Sequence, residues 1–108
     1  MTLIYHIAET ADWEQAQRDG QYTMSTRGRT LAEEGFIHAS REDQWETVRA
    51  TYYGDHDGPL VLLEIDPAKV GSPVRWEDGA PPHPAGIWFP HVYGPIPRAA
   101  VVGAHEFR

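Results

Sequence analysis

The sequence predicts an α+β fold: a single domain in which a mixed sheet carries two main helices. Three observations lead there. Strand-like and helix-like patterns follow in the order strand, helix, strand, helix, and then a run of strands, which places helices against a mostly antiparallel or mixed sheet. The chain has 108 residues, 41% hydrophobic and 23% charged, a size that suits one core. No internal repeat or low-complexity tract interrupts the pattern.

LIYHIA is the first strand, rich in β-branched and aromatic residues. Alternation points Leu3, Tyr5 and Ile7 one way and Ile4, His6 and Ala8 the other. Thr10 is the expected N-cap of the first helix, ADWEQAQRD. That helix sets Trp13, Ala16 and Gln17 at helical spacing and stops at Gly20. Residues 21 to 30, QYTMSTRGRT, read as a polar loop, and Thr30 to Glu33 as a capping box for one short turn.

GFIHAS is the second strand. Ser40 then reads as the N-cap of the second helix, with Glu42 and Asp43 at the positive end of its dipole. Trp45, Val48, Arg49 and Tyr52 define its inward face, and Gly54 ends it. PLVLLEID is the clearest strand, a continuous apolar run closed by Asp66-Pro67. SPVRWED is a short edge strand because of Pro73. GAPPHPAG is a Pro/Gly loop, and WFPHVYGPI and AAVVGAHEF are two late strands.

Composition narrows the function classes. Without cysteine there is no disulfide framework and no thiolate zinc site, which fits a cytoplasmic location. MTLIYHIAET lacks a basic n-region and a long apolar run, so no signal peptide is expected, and no window is apolar enough to span a membrane. The net charge of −7 repels polyanions, so nucleic acid is not an expected partner. A small anionic ligand in one local pocket is compatible with that field. The sequence identifies no protein partner.

Histidines carry the functional signal. Of six, three lie in apolar strands: His6 in IYHI, His38 in FIHAS and His91 in FPHVYG. One such imidazole is ordinarily a half-buried ring satisfied by a backbone carbonyl. Three together suggest a cluster. Alternation places Phe36, His38 and Ser40 on one face of their strand and His91 and Tyr93 on one face of theirs. A metal site is not expected, because HxH and HExxH spacings are absent. A Ser–His hydrolase is disfavoured by the lack of a G-x-S-x-G elbow. Ligand recognition remains, since histidine and tyrosine bond ribose hydroxyls and stack on flat rings. Arg27 and Arg29 are the best-placed cations for a phosphate. Trp13 and Trp45 read as core, whereas Trp76 and Trp88 flank the Pro-rich loop and are candidates for a pocket mouth.

The succession IYHI, a Trp-containing helix, EGFIHAS, a helix with Gln44, LVLLEID and FPHVYGPI closely resembles a small bacterial family catalogued as the domain of unknown function number 952. The resemblance spans nearly the whole chain, with GFIHAS and FPHVYGPI as its specific motifs. It implies an ADP-ribosyltransferase-like fold. By that resemblance His6 is the ribose anchor on the first strand, and His38 and Ser40 belong to the motif that binds the nicotinamide end of NAD. The resemblance also implies a catalytic glutamate on a late strand, where this sequence has His91 and Tyr93. That departure argues against ordinary ADP-ribosyl transfer to protein, which needs a negative charge beside a cationic transition state. Glu77 in RWED is the nearest substitute. A two-histidine site is similar to that of RNA 2′-phosphotransferases, whose substrate needs a basic surface that this chain lacks.

The expected site is therefore a nucleotide cleft. His6, His38, Ser40, Arg27 and Tyr93 bind, and His38, His91 and Tyr93 take part in chemistry, with His91 the general acid/base, a role that suits histidine because a free imidazole titrates near ~6.5. The expected partner is a small-molecule nucleotide. No cofactor is required, and NAD enters as a substrate. The alternative is a binding module that keeps the fold without catalysis.

Overall fold

The computed structural model describes residues 2–78 and 87–107. The chain starts with β1 (Ile4–Glu9) and α1 (Thr10–Asp19), followed by three short strands, β2 (Gln21–Tyr22), β3 (Met24–Thr26) and β4 (Arg29–Thr30). Next come α2 (Leu31–Glu34), β5 (Ile37–His38), α3 (Trp45–Tyr52) and β6 (Leu60–Ile65). The last strands are β7 (Val74–Asp78), β8 (Trp88–Val92), β9 (Ile96–Pro97) and β10 (Val101–Phe107).

LVLLEI forms the middle of a sheet ordered β1-β6-β10, and both neighbours run antiparallel to it. Its unbroken apolar run follows from that position, because both faces of the sheet are covered. On one face Val61, Leu63 and Ile65 join Ile4 and Ala8 of β1, closed by Ala16 and Trp13 of α1. On the other, Leu60 and Leu62 meet Tyr5, Ile7 and Tyr53, closed by Trp45 and Val48 of α3. The alternation expected along β1 is the one observed. A second sheet has the order β5-β8-β7, and it leaves β7 at the edge, where Pro73 at its entry is tolerated. The two sheets meet at Tyr5 and Ser40, whose backbones exchange two 2.7 Å hydrogen bonds.

Several expectations are corrected. Every strand pairing among the described residues is antiparallel, so the chain forms several antiparallel sheets and not one mixed sheet. Residues 21 to 30 form β2, β3 and β4 instead of a loop: burial of Tyr22 and Ser25 draws the segment onto the core, and Gly28, at φ 71°, turns the hairpin. Glu9, not Thr10, is the N-cap position of α1, and the Thr10 hydroxyl donates to the Pro59 carbonyl at 3.2 Å. Gly20 does end α1, at φ 85°. Gln17 is exposed, so Ala16 and Trp13 form the inward face without it. GFIHAS supplies only two strand residues. Ser40 is not a helix cap, because its extended backbone is engaged with Tyr5. The chain turns through 41 to 44, and α3 begins at Trp45 with Gln44 in the N-cap position. Tyr52, 46% exposed, lies off the inward face of α3. The expected Pro/Gly loop, with His83, falls on residues 79 to 86, outside those described. Among the described residues no helix is long and apolar enough to cross a membrane.

Candidate functional site

A cleft of about 540 Å³ opens beside the Tyr5–Ser40 bridge, between the β1/β5 junction and α3. His6, His38, Ser40 and His91 line it, with Glu34, Gln44, Thr47, Thr51, Tyr52 and Phe89. Its volume lies within the usual ~300–1,000 Å³ of small-molecule sites.

The strand register assembles the histidine pair. His38 of β5 sits opposite His91 of β8, and the two rings meet edge to face with centroids 5.4 Å apart. Phe36 stacks on His91 at 4.2 Å and also touches His38 and Tyr93, so Phe36, His38, His91 and Tyr93 share one face. Trp88 alternates to the opposite face of β8; with Trp76 it is exposed, and neither lines the cleft.

Each ring has an oriented partner. Glu77 of β7 pairs with Phe89 of β8, on the face that carries His91 and Tyr93, and its Oε1 accepts from His91 Nδ1 at 3.0 Å and from the Tyr93 hydroxyl. That bond places the proton of a neutral His91 on Nδ1 and leaves the Nε2 lone pair free. His91 is only 2% exposed and its Nε2 has no partner among the described residues. The two hydrogen bonds, Tyr93 first, hold the Glu77 carboxyl below the usual carboxylate range, while Glu77 raises the Tyr93 phenol. His38 Nε2 lies 3.5 Å from Glu34. Burial lowers the His38 pKa, Glu34 opposes that shift, and His91 adds to it.

His6 is organised differently. Its Nδ1 donates to the His38 carbonyl at 2.5 Å and its Nε2 accepts from the Tyr22 hydroxyl at 2.8 Å. Burial pushes its pKa down to about 4, so the ring is neutral near pH 7. Both nitrogens are occupied by the protein. His6 therefore ties the strand that carries His38 to the core. Arg27 is ion-paired to Asp55 at 2.6 Å and donates to the Tyr52 carbonyl at 3.2 Å, outside the lining of the cleft. Tyr93 also lies outside that lining, behind His91.

The profile of the family described as "Protein of unknown function (DUF952)" matches residues 7–104. The chain belongs to the DUF952 family. A crystal structure of the DUF952 chain's relative CC0527 from Caulobacter crescentus superposes with a TM-score of 0.81 at 28% identity, covering 99% of this chain and 87% of that one. A crystal structure of a double mutant of CC0527 gives 0.81 at 30% identity with the same coverage. The solution structure of CC0527 gives 0.72 at 30%, covering 96% and 83%. No curated protein matches the chain.

In this DUF952 protein, three site residues carry no signal that the pattern of the sequence makes legible. Glu34 ends α2, and only the turn at Gly35 brings it to His38. Tyr22 sits in a segment that reads as polar. Gln44 belongs to the family resemblance, but its role needs the fold: its Oε1 accepts from the Arg41 amide at 2.8 Å, and its Nε2 donates to the Trp88 carbonyl at 3.0 Å. Gln44 thereby joins the entry of α3 to β8.

Proposed function

We propose that the cleft binds a nucleotide-type small molecule, with NAD or an ADP-ribose derivative the first candidates. The observation that carries this reading is the His38–His91 pair, set edge to face in a cleft, with one imidazole nitrogen unpartnered among the described residues. His91 is the proton carrier and Glu77 its positioning residue, since that carboxylate fixes the tautomer and stabilises the imidazolium. In a ribosyl transfer the bond from ribose C1′ to the ring nitrogen breaks, and its electron pair leaves with the ring. An acceptor hydroxyl or water bonds to C1′, and its proton passes to His91 Nε2. Glu77 is the carboxylate bonded to His91 and takes the place of the absent late-strand glutamate. NAD is substrate here, and no separate cofactor enters. At the level of the fold, we read two antiparallel sheets joined at Tyr5–Ser40 as an ADP-ribosyltransferase-like arrangement.

A second reading, a binding module without catalysis, is favoured by one observation: His91 Nε2 is closed off from solvent. Titration with NAD and ADP-ribose, followed by amide and imidazole NMR, tests the binding. The resonances of His38, Ser40 and His91 are expected to move at millimolar ligand; if none moves, the nucleotide reading fails. Turnover of NAD-derived and 2′-phosphorylated nucleotides that disappears in His91→Ala supports the enzyme. Binding without turnover in the unaltered protein supports the module.

A further inference from the structure

Charge at the cleft specifies which part of such a ligand is held. Among the described residues three guanidiniums at or near it already face a carboxylate: Arg27 with Asp55 at 2.6 Å, Arg29 with Glu34 at 2.9 Å and Arg41 with Asp43 at 3.0 Å; a further one, Arg75, lies over the Tyr93 ring, outside the lining. Only Arg41 of these three lines the cleft, alongside the acids Glu34 and Asp43. Residues 79 to 86, GAPPHPAG, contain no lysine or arginine, and the chain's single lysine is Lys69. The positive end of α3 is no substitute, because Asp43 precedes it and Glu46 lies in its first turn. A phosphate entering the cleft would lose water without gaining a free cation from the lining. The remaining lining suits an uncharged sugar and a flat ring. Ser40, Thr47 and Thr51 offer hydroxyls, Phe89 and Tyr52 offer aromatic faces, and the buried His91 Nε2 is unpartnered among the described residues.

We propose that the cleft recognises the nucleoside part of its ligand and excludes phosphate, so that a nucleoside binds at least as tightly as its nucleotide. This rests on the nucleotide-type reading above and specifies the ligand class within it. NAD and ADP-ribose then bind by a ribosyl end, with their phosphates in solvent. The experiment compares adenosine with AMP, and nicotinamide riboside with its mononucleotide and with NAD. Calorimetry gives the affinities and the His38 and His91 imidazole shifts give the location. The expected result is that each 5′-phosphate weakens binding, roughly tenfold at low salt and less as salt screens it. Glu34→Gln, which also releases Arg29, and Asp43→Asn, which releases Arg41, are each expected to narrow the gap between adenosine and AMP. A mononucleotide bound tenfold more tightly than its nucleoside would overturn the inference and leave the nucleotide-type reading standing. An unchanged gap in both variants would overturn it as well. Absence of any shift at His38 and His91 with all five probes would remove both.

Discussion

His6 shows how one side chain can carry a structural and a functional assignment at once. Alternation places it on the buried face of β1, and the resemblance makes it a ribose anchor. In the fold its two nitrogens hold the His38 carbonyl and accept from Tyr22. Burial lowers its pKa to about 4, against ~6.5 in an unfolded chain. The folded state therefore binds fewer protons than the unfolded one between those values. The stabilisation is complete above pH ~6.5, is lost as the pH falls toward about 4, and changes no further below that. The loss amounts to ~3 kcal/mol. Denaturant unfolding at a series of pH values is expected to show a shallower slope in His6→Asn, where His38 and Glu77 still contribute, than in the wild type. Imidazole NMR should report a neutral His6 with its proton on Nδ1 throughout pH 5 to 7; protonation near pH 6.5 would contradict this account.

At the scale of elements, the site depends on short pieces held by caps and crossings. α2 has four residues, too few to persist alone. It is held by the Thr30–Glu33 capping box and by Gly35 at its C-cap. Glu34, at the end of this turn, reaches both Arg29 and His38. Thr30→Ala is expected to reduce stability by ~1 kcal/mol. It should also move the His38 imidazole resonances, because the turn that presents Glu34 loosens. Thermal denaturation and NMR check the two halves separately. A stability loss with His38 unmoved would mean that Glu34 does not depend on this cap. The sequence made the cap visible through its spacing, but it gave no sign that its neighbour would face a histidine beyond the turn.

For the whole molecule, β6 is the member on which both cores close. Leu63 is 0% exposed and belongs to the core that holds Ile4, Ala8 and Val92 together, a core shared by the β1-β6-β10 sheet and β8. Leu63→Ala is expected to cost about 2–5 kcal/mol, a large share of the ~5–15 kcal/mol that holds a typical domain. The variant should lose cooperative unfolding near ambient temperature if the loss is at the upper end, as urea titration would show. Retention of full stability would mean that Leu63 does not close the core on its face of β6.

The sequence by itself determined the α+β class, the central strand, the edge position of β7, the capping box and the faces to which His38 and His91 point. These follow from period and punctuation, which are local. It did not determine that Ser40 would extend into a bridge with Tyr5, that residues 21 to 30 would form strands, or that Glu77 would stand beside His91. Those outcomes depend on which backbone and side-chain groups meet across the fold. His6 bonds residues 16 and 32 positions away, and Glu77 is 14 from His91. A buried polar group takes the partner that packing brings to it. Only the tertiary structure could therefore turn three strand histidines into a facing pair and one that anchors it.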